Sequence, residues 1–316
     1  MEGNPQGGDY RSLREHLGDI RDRFVVRNLV SGVRILTSDR ATTVYFSFIM
    51  FVLVLAVFGP YIVPYHYSER VYGPEGDILF TAAPSMKHLL GTTGVGYDVL
   101  SRIVHGARPT VITGLISGTM IITIGMTIGI VSGYVGGRVG NVLMRFTDLM
   151  YSVPLIPFAL VVVAVVGSGF YTSIVIIGAV LWRGLARVVR AQVLQIKERP
   201  YILAAKTSGA STPYIIFKHI LPNVAPMGIL FFALGTGYAI VIQAGLAFLG
   251  VTDPFVPSWG IMVRNAYASG LMSSAIWWTL PPGFLISMTV LSLFMLGRKL
   301  ESQLSQSNES MIVQAG

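Results

Sequence analysis

Long apolar runs divided by short polar ones dominate this chain. A helix needs about 20 mostly apolar residues to cross a hydrocarbon core of about 30 Å, at a rise of about 1.5 Å per residue. Residues 44–65, 110–134, 225–249 and 275–296 each reach that length. The run 155–182 is harder to read, because Gly167-Ser168-Gly169 interrupts it. A single helix over that run would reach about 42 Å, more than one crossing needs. Dividing it at the Gly-Ser-Gly turn predicts two spans, Met150–Val166 and Tyr171–Val189. Pro154 with Pro157, and Pro281 with Pro282, predict breaks or tilts in the third and sixth spans. Such breaks survive in lipid where protein or a wet cavity satisfies the freed carbonyls.

Charge decides the number of crossings. With six spans and an internal N-terminus, 18 of the 23 Lys and Arg residues lie inside. Only Arg70, Lys87, Arg102, Arg108 and Arg264 then face out. Five spans would leave 9 inside and 14 outside. The excess of positive charge on cytoplasmic loops therefore selects six, with both termini cytoplasmic. The order becomes a cytoplasmic arm (1–42), a first span (43–65), an extracytoplasmic lobe (66–108), a five-span core (109–300) holding a cytoplasmic loop (190–222), and a cytoplasmic tail (301–316). The arm carries seven arginines and six acids and no early apolar run, unlike a cleavable secretory signal. Within it, Leu13, Leu17, Ile20, Phe24 and Val25 recur at helical spacing, predicting an amphipathic helix over 10–36. That helix suits either a partner contact or the inner leaflet.

Composition agrees with a polytopic all-α membrane protein: 53% of residues are hydrophobic and 12% charged, against about 25% charged in soluble domains. The net charge of +8 follows membrane orientation and forms no stripe for nucleic acid. Cysteine is absent, and no His/Asp/Glu cluster suggests a metal site. All five lysines lack a preceding glycine, which excludes a phosphate-cradling loop of the Gly-Lys type on this chain. Gly91, Gly94 and Gly96 read as a turn. Gly114 and Gly118, then Gly125, Gly129 and Gly133, recur every four residues, the spacing that lets helix backbones meet in lipid. Gln243 is the strongly polar side chain deep in the fifth span; it suits a pore lining or an interhelical hydrogen bond. No intramembrane acid suggests a proton relay, which weighs against an ion-driven carrier.

The loop 183–222 is a basic interruption of this apolar pattern. Arg183, Arg187 and Arg190 share one face of the fourth span, where snorkelling to lipid headgroups is the simplest role. Pro200 fits a first-turn position, and Tyr201–Ser208 reads as a short helix stopped by Gly209. Thr212 can cap a second helix with Pro213 at its first position, and Pro222 should end it. Small Ala204, Ala205 and Gly209 would let another surface approach, so the pair suits a docking element.

Residues 203–222 resemble the loop signature of inner-membrane permeases of ATP-binding-cassette importers, matching its spacing at Ala204, Ala205, Gly209, Leu221 and Pro222. Leu203 stands where that family has glutamate, and His219 where it has isoleucine. His219-Ile-Leu-Pro-Asn223 is similar to the variant of the dipeptide/oligopeptide/nickel subgroup. So are His88-Leu-Leu-Gly-Thr92, Gly96–Arg102, Gly106-Ala-Arg108, Tyr134–Gly137, Leu246–Gly250 and Pro257–Gly260, with Tyr97 where arginine is usual. The resemblance implies a MetI-like permease fold. It also implies a second homologous permease, two ATPase subunits that hold ATP and Mg²⁺, and an extracytoplasmic binding protein. This chain would then bear no catalytic residue or cofactor and lie in a prokaryotic cell membrane. The implied cargo is a peptide, with nickel or sugar-like cargo as alternatives; an ion-driven carrier is the alternative from another class.

Overall fold

The computed structural model describes residues 35–314. The amphipathic helix expected over 10–36 falls almost wholly outside them. Asp39 opens α1 (Arg40–Phe58) by accepting the Thr42 N–H at 2.8 Å, and a 3₁₀ turn, Gly59–Tyr61, closes it. The outer segment 66–98 is irregular, tied by isolated bridges such as Arg70 with Tyr97. Asp98 then caps α2 (Val99–Tyr134), which starts eleven residues before the expected Thr110 because this cap sits inside the lobe. Next come α3 (Gly137–Ser152), α4 (Leu155–Val166) and α5 (Phe170–Ile196). The cytoplasmic loop holds α6 (Pro200–Thr207), α7 (Thr212–Ile215) and a π turn (Ile216–Ile220). The chain ends in α8 (Leu221–Phe248), α9 (Trp259–Ala268) and α10 (Ile276–Gln314).

Helix α2 is the axis on which the others pack, and its glycines set the distances. A Cβ at Gly125 would lie 2.9 Å from the Trp182 carbonyl oxygen. One at Gly129 would lie 2.8 Å from that of Ala186, and one at Gly133 3.1 Å from that of Arg190. These pairs advance together along both chains, so α2 and α5 run parallel with backbones in contact. Gly114 instead meets Thr236 and Ile240, while Gly118 meets Thr236 and Phe232, all on α8. Gly235 of α8 faces Ile121 and Gly228 faces Met126, so α8 runs antiparallel to α2. Gly237 against Phe294, with Gly297 against Ala233, makes α10 antiparallel to α8. One glycine stripe in the sequence thus serves two neighbours, with α5 toward the end of α2 and α8 toward its middle.

Because α2 and α5 are parallel, the chain between them must return across the membrane. That return is α3 with α4, bent by 86°. The twelve residues of α4 extend about 18 Å, too short for a crossing alone, so the third span is broken as Pro154 and Pro157 predict, and it draws on α3 beyond the Met150–Val166 bounds expected. Five continuous helices and this bent pair give six crossings. Lys299 on α10 meets Asp39 at 2.9 Å, which puts the entry to α1 and the exit of the last span at the same end. The Thr42 N–H, then Lys299, hold the Asp39 carboxyl well below its usual range.

The break falls at Val153-Pro154, where the residue before proline takes the extended conformation (φ −82°, ψ 110°). Pro154 has no N–H, so the Met150 carbonyl loses the donor it would have in a continuous helix. Arg183 supplies one: its guanidinium donates to the Met150 carbonyl oxygen, and to that of Val153 at 3.2 Å. The same group lies 4.9 Å from the Tyr151 ring centre, with Arg187 4.1 Å away on that ring. Arg187 also pairs with Asp148 at 2.6 Å, and Arg190 reaches the Gly140 carbonyl at 3.4 Å. The arginine stripe therefore grips α3, a role its helical spacing alone does not show, while Arg187 stays half exposed.

Pro281 and Pro282 do not break the last span; they lie in the second turn of α10, which continues through them and on past residue 300. There they remove donors only from the Trp277 and Trp278 carbonyls of the first turn, where the end of the helix can adjust.

Three stability outcomes follow. Gly129→Val should cost about 1–3 kcal/mol through overpacking against Val189 and the Ala186 carbonyl. Gly245→Ala, where an added Cβ meets nothing within 4 Å, should leave the thermal midpoint in detergent unchanged or slightly raised. Arg183→Met should lower that midpoint, at a cost of about 1–3 kcal/mol for carbonyls left without a donor. It should also raise protease cleavage at 150–155; an unchanged midpoint and cleavage pattern would refute the clamp.

Candidate functional site

The cytoplasmic loop folds as an elbow with an anchored face and a free one. Pro200 opens α6, where its missing N–H costs nothing. Gly209, at φ +82°, closes it: its N–H bonds the Lys206 carbonyl at 3.1 Å, and the Ala210 N–H bonds that of Ala205 at 3.0 Å. This is the paired-bond stop that needs a left-handed residue. The second helix begins one residue before the sequence reading, with Ser211 at the cap position and Thr212 and Pro213 in the first turn; neither Ser211 nor Thr212 caps it with a side-chain hydrogen bond.

Nor does Pro222 end that helix. The chain passes from α7 through the π turn into α8, giving one helical element from Thr212 to Phe248. Pro222 is the second residue of α8, where an absent donor is tolerated because the wider turn ahead of it bonds Leu221 N–H to the Ile216 carbonyl. Asn223 donates its side-chain amide to the His219 carbonyl at 2.7 Å. The His219 ring stands between Tyr201 of α6 and Tyr214 of α7, with centres 6.1 and 5.8 Å away, and so joins the two arms of the elbow. That role was not visible in the sequence, where His219 was recognisable only as part of the His-Ile-Leu-Pro-Asn variant of the loop signature.

Ile202, Ile215 and Ile220 point inward and pack with Val224 on Leu185, Val189, Val193 and Ile196 of α5 and Met126 and Ile130 of α2. The opposite face is open. Leu203 is 45% exposed, Tyr214 52% and Phe217 70%, with Ala204, Thr207, Pro213 and Lys218 also exposed. Ala205, His219 and Leu221 are partly buried between the two faces. Apolar and basic groups on a rigid, solvent-facing elbow are suited to a protein partner.

At the other end, three neighbouring motifs within residues 88–108 meet the distant Pro257–Gly260 motif and Trp277. His88 Nδ1 lies 3.0 Å from Asp98, whose other oxygen caps α2. Trp277 donates to the Thr92 carbonyl at 3.4 Å. Trp259, fully buried, donates its indole N–H to the Ile103 carbonyl at 2.9 Å and packs over Gly106. This lobe is held to the spans by side chains aimed at backbone carbonyls. Gln243 is 2% exposed and lies on the side of α8 that buries Ala239, Leu246 and Ala247, away from exposed Tyr238, Val241 and Phe248. Lining a pore would require the surrounding helices to part.

Comparison with known proteins places these features in context. The family model for the binding-protein-dependent transport system inner membrane component matches residues 125–306, more than half of the chain. The chain is 34% identical over 259 residues to the dipeptide transport system permease protein DppC of Bacillus subtilis, covering 81% of this chain and 78% of that one. It is 31% identical over 264 residues to the glutathione transport system permease protein GsiD of Pectobacterium atrosepticum, covering 83% and 86%. Among solved structures, an inward-facing MetNI methionine ABC transporter chain shares the fold, with a TM-score of 0.53 and 19% identity over 64% of this chain and 95% of that one. The motifs, the six crossings and these matches agree: the chain belongs to the family of inner membrane components of binding-protein-dependent transport systems.

Proposed function

We propose that this chain is one permease subunit of an ATP-driven importer, and that its cargo is a short peptide delivered by an extracytoplasmic binding protein. A second homologous permease and two ATPase subunits complete the complex, and ATP and Mg²⁺ are bound by the ATPases. The observation that carries the proposal is the elbow at 200–222. One face is fixed in the core of α2 and α5, the other is open, and its second arm is continuous with α8. Two similar proteins are named for dipeptide and for glutathione, itself a short peptide, and this supports the cargo class.

The mechanism follows from stiffness. A partner that grips Leu203, Ala204, Tyr214 and Phe217 can push or turn the elbow as a unit, because Gly209 and His219 lock its two arms together. The motion enters α8 without a flexible joint and reaches the outer end of the span. Tight glycine contacts between α8 and α2 make small shifts of one helix displace the other. Coupled to ATP binding and hydrolysis in the ATPases, such motion would open the pathway alternately to each side.

Two variants in the reconstituted complex test this reading. Proline cannot adopt φ +82°, so Gly209→Pro should remove peptide transport and uncouple ATP hydrolysis from binding-protein stimulation, while the complex still assembles. Gly209→Asn, which tolerates the left-handed conformation, should retain most transport. Phe217→Asp changes only an exposed side chain and should weaken ATPase association about tenfold or more, read by co-purification at graded salt. Normal transport by the proline variant would defeat the lever role.

A further inference from the structure

A cavity of about 450 Å³ opens on the extracytoplasmic side, between the lobe, the start of α2, and α9. Its walls include Tyr67, Tyr97, Phe255 and Trp278, with polar Thr93 and Asn265. The cationic side chain among its lining residues is Arg102, and no Asp or Glu lines it. Arg102 is 8% exposed and lines the cavity, and among the described residues its guanidinium is engaged by no carboxylate and no hydrogen-bond acceptor. Its contact is with the Tyr97 ring, 4.7 Å away. Asp98, one turn earlier, has its oxygens engaged by His88 and by the Ser101 N–H.

A guanidinium carries five donors and stays charged. Where it lines a cavity with no protein acceptor within reach, its donors are left to water or to a ligand that enters. The guanidinium fork fits a carboxylate in a two-bond arrangement, and aromatic walls fit an apolar or aromatic body attached to it. Tyr97 holds the fork in place through its ring face and leaves the donors unused.

We propose that this vestibule is a carboxylate-binding site, and that it receives the C-terminal carboxylate of the peptide as the binding protein releases it. The site rests on the importer reading for its occupant, while the cavity and the unmatched charge stand independently of that reading. Arg102 is the specificity-determining residue: it favours ligands that keep a free carboxylate beside an apolar side chain.

The test uses the complete reconstituted complex and two probes, a transported peptide and its C-terminally amidated form. With the native complex, the free acid should be taken up about tenfold or more faster than the amide, the difference expected from loss of a charge-assisted pair. Arg102→Gln should slow the free acid to the rate of the amide and leave the amide unchanged. Asn265→Asp, which sets a fixed carboxylate in the same cavity without removing a buried group, should have the same effect; it keeps the test valid if Arg102→Gln fails to fold. Quenching of tryptophan fluorescence from Trp278 by the free acid, and not by the amide, should be lost in both variants.

Equal uptake of acid and amide by the native complex would overturn the carboxylate site and leave the importer reading intact. Failure of the native complex to move any peptide would instead overturn the importer reading. Equal slowing of both probes by Asn265→Asp, with weaker binding-protein association, would overturn the cargo assignment and mark the cavity as a docking surface.

Discussion

Backbone polar groups inside a bilayer must find partners within the protein, and the architecture follows from how this chain meets that demand. Continuous helices meet it by themselves. The third crossing cannot, because Pro154 removes a donor, and the deficit is made good from α5 by Arg183. Parallel α2 and α5 bring that arginine into place, and they can do so because Gly125, Gly129 and Gly133 let their backbones touch. Small residues and a partly buried arginine thus act as one device. The glycines fix where α5 lies, and α5 then supplies the donor that lets α3 and α4 bend.

The same logic holds at both ends of the bundle. At the outer end, Trp277 aims its ring N–H at the Thr92 carbonyl and ties the irregular lobe to the last span, while Trp259 joins α9 to α2 through the Ile103 carbonyl. At the inner end, Lys197 reaches the Gly133 carbonyl at 3.3 Å and Asn223 that of His219. Polar side chains finish the hydrogen bonding where helices begin, end or change pitch. Apolar contacts and small residues fill the rest. This division explains how a chain with few charges still holds sharply bent segments.

Much of this was legible from residue order. Span length and the placement of lysine and arginine pointed to six crossings, since both depend on bilayer thickness and charge, which are local properties. The stop at Gly209 and the opening at Pro200 were equally local. Features set by distant residues were not. Nothing near Arg183 in sequence points to the Met150 carbonyl, so the arginine stripe read as lipid-facing. Pro281 and Pro282 looked like breakers because residue type alone does not say that a helix starts only one turn earlier. Thr212 and Ser211 compete for one cap position, and Pro222 looked like a stop because a π turn leaves no mark in composition. The outer motifs were recognisable as words, but their convergence around Trp259, Asp98 and the Arg102 cavity required the fold.

The π turn at Ile216–Ile220 has a geometric consequence for the whole element from Thr212 to Phe248. An α-helix turns about 100° per residue, so a widened turn fixes the angular phase between what lies before it and what lies after. Before it is the arm that presents Tyr214, and within it sits exposed Phe217; after it are the faces of α8 that meet α2 and α10. Over roughly 55 Å, the element works like a keyed shaft whose two ends have been cut at a set angle. A change of one residue in the turn would leave every side chain chemically the same and still point the inner end at the wrong side of its partner.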